Sequence, residues 1–136
     1  MSNNTFKKTY LAILTGNLEK QSGTINAPIA RKDNSIIERC INFNGDVAIT
    51  DFKVLKHFNN FTLVEFALKT GRTHQIRVHS KYIGHPILGD TLYGISSPLI
   101  SRQALHAHKI EFIHPLTHKK ANYISKLPQD MQSLLI

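Results

Sequence analysis

Along FTLVEFALKT, Val64, Phe66 and Leu68 alternate with Glu65, Ala67 and Lys69, a period of two that predicts a strand with one buried and one exposed face. The run before it, DVAITDFKVLKHF, is also strand-like, and Asn59-Asn60 between the two predicts an antiparallel hairpin. Its alternation changes phase near Thr50-Asp51, which predicts a bulge there. Near the start, TYLAILTGN is apolar and closes on Gly16-Asn17, a further strand ending in a turn. GTINAPIARKDNS, broken by Pro28 and the Asp33-Asn34-Ser35 cluster, is expected to be an irregular loop.

After Thr70-Gly71 the pattern becomes helical. THQIRVHSKYI predicts a helix with Thr73 as N-cap and Gly84 as its stop before Pro86. On it Ile76, Val78, Tyr82 and Ile83 would pack, with Arg77 and Lys81 one turn apart on another face. GHPILGDTLYG reads as a turn-rich loop, RQALHAHKIEFIHP and ANYIS as strands, and PQDMQSLLI as a short helix with Pro128 at its start. The expected class is α+β, a mostly antiparallel sheet with one or two packed helices, in a single domain over residues 1–136. There are no repeats and no low-complexity segments.

Composition changes this picture in one respect. Seventeen Lys and Arg against nine Asp and Glu give a net charge of +8 and a pI near 9.8. That excess favours a polyanionic partner, because neutralisation of phosphates by Lys and Arg is the main sequence-independent source of nucleic-acid affinity. Cys40 is the single cysteine, so an internal disulfide is excluded and a reducing, cytoplasmic setting is expected. No apolar run approaches the length needed to cross a bilayer, and no membrane partner is expected.

Eight histidines invite a metal site, but no acidic or cysteine residue completes a recognisable ligand set, so none is expected. Gly71-Arg72-Thr73 lacks the spaced glycines and Lys-Ser/Thr of a phosphate loop. Cys40 beside Arg39 is better read as a small buried hydrophobe than as a nucleophile.

The run Leu68–Gly94 holds Arg72, His74, Arg77, His79, Lys81 and His85, with Asp90 as its one carboxylate. TGRTHQIRVH, then IGHPILGDTLYG, then RQALHAHKIEFIHP closely resemble the C-terminal half of RluA/RluD-type pseudouridine synthases. KKTYLAILTG resembles the tyrosine-bearing motif of that family, and GTINAPI the segment after it, so the resemblance runs from about Lys7 to about Pro128. It implies part of the pseudouridine synthase fold and isomerisation of uridine to pseudouridine in structured RNA, ribosomal rather than transfer RNA, with no metal or cofactor. In that family an aspartate is the nucleophile, a tyrosine ring contacts the flipped base, and an arginine pairs with the aspartate. By motif match the tyrosine role falls on Tyr10 and the arginine role on Arg77. Tyrosine suits stacking and proton transfer, and arginine offers a permanently charged planar fork. Arg72, His74, Lys81 and Arg102 are the further candidates for RNA contact, while His85, Pro86 and Asp90 fall in a motif that shapes the loop beside the cleft.

One element of the resemblance is missing. The nucleophilic aspartate lies in a His-Arg-Leu-Asp motif upstream of the tyrosine segment, and the chain contains no such motif. None of Asp33, Asp46, Asp51, Asp90 and Asp130 sits in a matching context. The expectation is that the negative partner of Arg77 lies outside this chain. The chain alone would then be an inactive half of the enzyme, prone to self-associate through the edge left by the other half. The alternative is a non-catalytic RNA-binding domain derived from the same fold.

Overall fold

The structure, a computed structural model, describes residues 6–114 and 116–135. Pro115 and Ile136, at the ends of two expected elements, lie outside the described residues. At the middle of the fold is β1 (Phe6–Thr15), flanked on one side by β6 (Phe61–Leu68) and on the other by β7 (Leu105–Ile113). β5 (Ile49–His57) and β2 (Ser22–Asn26) extend the sheet beyond β6, and β8 (Lys120–Ile124) lies outside β7. All pairs are antiparallel, in the order β2-β5-β6-β1-β7-β8. β3 (Ile29–Arg31) and β4 (Arg39–Ile41) form a separate two-stranded sheet. The helices are α1 (Gln75–Tyr82) and α2 (Gln129–Gln132), the latter running into a 3-10 turn at Ser133–Leu135.

The α+β class, the β5–β6 hairpin and the strand-rich C-terminal half are as the hydrophobic pattern predicts. Asn60 takes the left-handed conformation (φ 71) that the tight hairpin connection requires. The expected irregular loop from Gly23 to Ser35 instead contains most of β2 and all of β3. Ile25 and Ile29 are buried there, and β2 is added by backbone pairing to β5. The bulge falls between Val54 and Lys56 rather than at Thr50-Asp51, and turns Leu55 outward.

The main core gathers Ala12, Ile13 and Leu14 from β1, Val64 and Phe66 from β6, Ile76 from α1, Ile87 and Leu88 from the following loop, and Met131 from α2. A smaller core of Ile29, Ala48, Val78 and Tyr93 ties the two-stranded sheet to α1. Among the described residues no helix is long and apolar enough to cross a membrane.

Candidate functional site

Strand register sets the position of Tyr10. Gly23, Phe52, Phe66, Tyr10 and Ala107 pair in turn across five strands, so they form one row on one face of the sheet. Phe66 is fully buried and Ala107 exposed, which puts the half-buried Tyr10 ring where the core meets solvent. Thr50, two residues from Phe52 on β5, projects from the same face. Its hydroxyl lies 2.8 Å from Nδ1 of His79 and accepts from Nε2 of Gln75 at 2.8 Å, both on α1. α1 therefore lies over the face that carries Tyr10.

The start of α1 is fixed by side chains. Gln75 Nε2 also donates to the Ile49 carbonyl, and its Oε1 accepts from the Thr70 hydroxyl and from the Arg72 backbone N–H. His79 Nε2 donates to the Ala27 carbonyl at 2.9 Å, so Nδ1 must accept from Thr50. His79 is wholly buried, and burial lowers its pKa, only partly offset by the Ala27 bond. Thr73 is not the N-cap. The cap position belongs to His74, in the left-handed region (φ 57, ψ 23) and without a side-chain cap bond, while the Gln75 side chain ties down the Arg72 N–H ahead of the helix. Ile76 and Val78 pack as expected, whereas Tyr82 is 52% exposed.

The segment after α1 is laced to the end of β1. Thr15 donates from both its N–H and its hydroxyl to the Pro86 carbonyl, His85 Nδ1 donates to the Thr15 carbonyl, and Leu88 N–H donates to the Ile13 carbonyl. Gly89 then turns the chain at φ 79, where a Cβ would run into the Arg102 carbonyl. That turn delivers Asp90 to Arg77.

Arg77 Nε and Nη2 each donate to Asp90 at 2.9 Å, a side-on bidentate pair with the carboxylate wholly buried and the guanidinium side chain only 15% exposed. This corrects the expectation that the negative partner of Arg77 lies outside the chain. Asp90 also accepts from the N–H groups of Leu92 and Tyr93 at 3.1 Å. Burial alone would raise its pKa, but the Arg77 bond and charge and those two N–H bonds outweigh it and hold the carboxyl below its ordinary value. Asp90 is thus an ionised holder with no surface to offer a substrate. The Asp90 bond raises the Arg77 pKa in turn.

Tyr93 closes the site. Its ring lies 5.0 Å from the Arg77 guanidinium carbon, and its hydroxyl accepts from the Arg39 backbone N–H at 2.8 Å. The hydroxyl hydrogen is then available to His74 Nδ1, 2.7 Å away. Desolvation, then the charges of Arg77 and Arg39, lower the His74 pKa and favour the neutral ring that accepts it.

The remaining sequence candidates separate. Arg72 and Lys81 are exposed on either end of α1, with Arg72 Nε anchored on the Val47 carbonyl at 2.7 Å. His74 joins the Arg77 cluster through Tyr93. Arg102 does not join it. Its Nε and Nη2 grip Asp130 and its Nη1 donates to the Gln103 and Leu105 carbonyls, so four of its five N–H groups are committed to holding α2 against β7. The residues that sequence reasoning missed are Thr70, Gln75, His79 and Tyr93. For Thr70, Gln75 and His79 the signal was a density of hydrogen-bonding side chains inside TGRTHQIRVH too great for a helix face that only packs; Tyr93, in GDTLYG, carried no such local signal. Among the described residues no group of His, Cys, Asp and Glu could hold a metal ion.

A family model described as RNA pseudouridylate synthase matches residues 1–82. The uncharacterized RNA pseudouridine synthase YjbO of Bacillus subtilis (strain 168) is 47% identical over 133 residues, covering 98% of this chain and 47% of that protein. Ribosomal large subunit pseudouridine synthase D of Nitrosomonas europaea is 43% identical over 140 residues, covering 96% of this chain and 40% of its own length. The structure of human RNA pseudouridylate synthase domain containing 1 superposes with a TM-score of 0.77 at 26% identity, over 98% of this chain and 65% of that one. The chain thus spans about half the length of the curated relatives it matches. It belongs to the RNA pseudouridylate synthase family.

Proposed function

We propose that this chain is the C-terminal portion of the catalytic domain of an RNA pseudouridine synthase, with Tyr10 and Arg77 on its side of the active site. The observation that carries the reading is the placement of Tyr10 and α1 on one sheet face, with Arg77 rigidly held beside Tyr93. The reaction breaks the glycosidic bond of a uridine, turns the uracil and rejoins its carbon 5 to the ribose, which calls for a nucleophile, a platform for the base and a proton acceptor. Tyr10 supplies the platform and a phenolic oxygen, at the rim of the core where a flipped base can reach it. The nucleophile is a carboxylate from a His-Arg-Leu-Asp segment that is not among these 136 residues. Arg77 can still receive it, because its two bonds to Asp90 leave three N–H groups without a partner among the described residues.

RNA is the substrate, held by its phosphates through Arg72 and Lys81, with His74 at the cleft rim; the net charge of +8 supports this. Ribosomal RNA is the favoured class, because relatives named for the large ribosomal subunit are among the similar proteins. Any self-association would run through the outer strand β8, where Tyr123 and Ile124 are 66% and 65% exposed.

One observation favours a second reading, a non-catalytic RNA-binding domain: Arg77 already has an internal counter-charge. The deciding experiment joins the chain to a segment bearing His-Arg-Leu-Asp and measures pseudouridine in ribosomal stem-loops and in transfer RNA. Product in the ribosomal substrate supports the enzyme and its class. RNA binding without product in either substrate supports the second reading.

A further inference from the structure

We propose that Asp90 is a positioning residue that fixes Arg77 as a bridge between two carboxylates, itself behind and the reaction's nucleophile in front. The arrangement is built for one orientation. Asp90 Oδ2 takes Arg77 Nε and Asp90 Oδ1 takes Nη2, both at 2.9 Å, which consumes the side-on edge of the guanidinium. The end-on edge, formed by Nη1 and the outer Nη2 hydrogen, stays open to a second planar acceptor. Asp90 cannot swing with its partner, because Oδ1 also accepts from Leu92 and Tyr93 N–H and the side chain is fully buried. Rotation of the guanidinium about its long axis is further limited by the Tyr93 ring 5.0 Å away, and that ring is pinned at its hydroxyl by Arg39 N–H and His74.

A singly held arginine would follow whichever carboxylate came nearest. Here the aspartate in the rear decides the direction in which the open edge points, and so where a nucleophile can dock. Asp90 also removes net charge from the site, so Arg77 acts through geometry rather than as a general attractor of phosphate. The two effects have opposite signs in kinetics: without Asp90 the site should attract RNA as well or better, yet turn it over more slowly.

The catalytic half of this inference rests on the function proposed above; the positioning half does not. The test therefore has two arms, both using Asp90→Asn. In the 136-residue chain, the Arg77 Nε–H resonance is followed by NMR together with its exchange with water. It should be slowly exchanging in the wild type, then shift and exchange quickly in the variant. In the chain joined to the His-Arg-Leu-Asp segment, kcat should fall roughly 100-fold, as for a misplaced reacting group, while KM for RNA stays level or drops. An Arg77 resonance unchanged by the substitution overturns the proposal. So does a kcat within about twofold of wild type, or a loss carried wholly by KM. Should Asp90→Asn fail to fold, Asp90→Glu replaces it, since it keeps the charge but moves by one methylene the carboxylate that sets where the guanidinium points. The same kcat loss in folded Asp90→Glu with KM level supports the bridge, and full activity overturns it. If the joined wild-type protein makes no pseudouridine, the functional reading fails while the NMR arm still decides the role of Asp90.

Discussion

Replacing Asp90 by Ala should destabilise the fold by about 3–5 kcal/mol, the usual result of stripping one partner from a buried ion pair. The top of that range is expected, because the pair is side-on and bidentate, the carboxylate is wholly buried and the guanidinium side chain is only 15% exposed. Losing Asp90 also orphans the Leu92 and Tyr93 N–H groups, each worth about 1–3 kcal/mol if water cannot reach it. For a chain of this size the loss corresponds to a fall in Tm of roughly 10–20 °C. Arg77→Met alone should cost a similar amount, since it leaves a buried carboxylate unpaired. The double variant should cost clearly less than the sum, with a coupling of at least about 1 kcal/mol, because two apolar side chains leave no charge behind. Urea unfolding of the four proteins measures this cycle. Additive losses, or single variants within about 1 kcal/mol of wild type, would show that the pair is not an energetic unit.

Acid should unfold the protein in part through His79. Its folded pKa is lowered, so the unfolded chain takes up the proton first and stability is lost as pH falls through the ordinary value of 6.5. His79→Gln should flatten that part of the profile of urea midpoint against pH, and an unchanged profile would contradict the assignment. Gly89→Ala should destabilise by roughly 1–3 kcal/mol or more, from the left-handed backbone and the clash with the Arg102 carbonyl, read as a Tm shift. Arg102→Ala should cost about 1 kcal/mol, because its pair with Asp130 is 40% and 42% exposed, and should leave RNA affinity unchanged in a filter-binding assay. By contrast Arg72→Ala and Lys81→Ala should each weaken RNA binding and reduce the slope of log affinity against log salt by about 1.

The strands with strict alternation were legible because each could be read without its neighbours. β6 reports its buried face directly through Thr62, Val64 and Phe66. β2 could not be read this way: SGTIN has one aliphatic residue, and its strand character comes from the free edge of β5. The bulge was misplaced because Val54 and Leu55 are adjacent apolar residues, and nothing local says which of them turns outward. The site was half legible. TGRTHQIRVH announced a specialised segment, and resemblance alone pointed to Tyr10 and Arg77 as candidates. The Arg77–Asp90 pair spans 13 residues and forms only after the segment from His85 to Leu88 docks on the end of β1 and Gly89 turns the chain. No periodicity encodes that docking, so the sequence suggested an arginine with its partner elsewhere. Likewise Arg102 looked like a surface cation because its acceptors, Asp130 and two carbonyls, converge only in the folded chain.

These 136 residues are proposed to form one side of a pseudouridine synthase site whose nucleophile comes from a His-Arg-Leu-Asp segment. The most direct test is release of tritium from carbon 5 of uridine in labelled ribosomal RNA, run with the chain alone, with the chain joined to a His-Arg-Leu-Asp segment, and with the joined protein carrying Arg77→Ala. Release is expected from the joined protein only, and it should be lost again on Arg77→Ala. Release by the chain alone would contradict this proposal and place the nucleophile among the five aspartates the chain already contains.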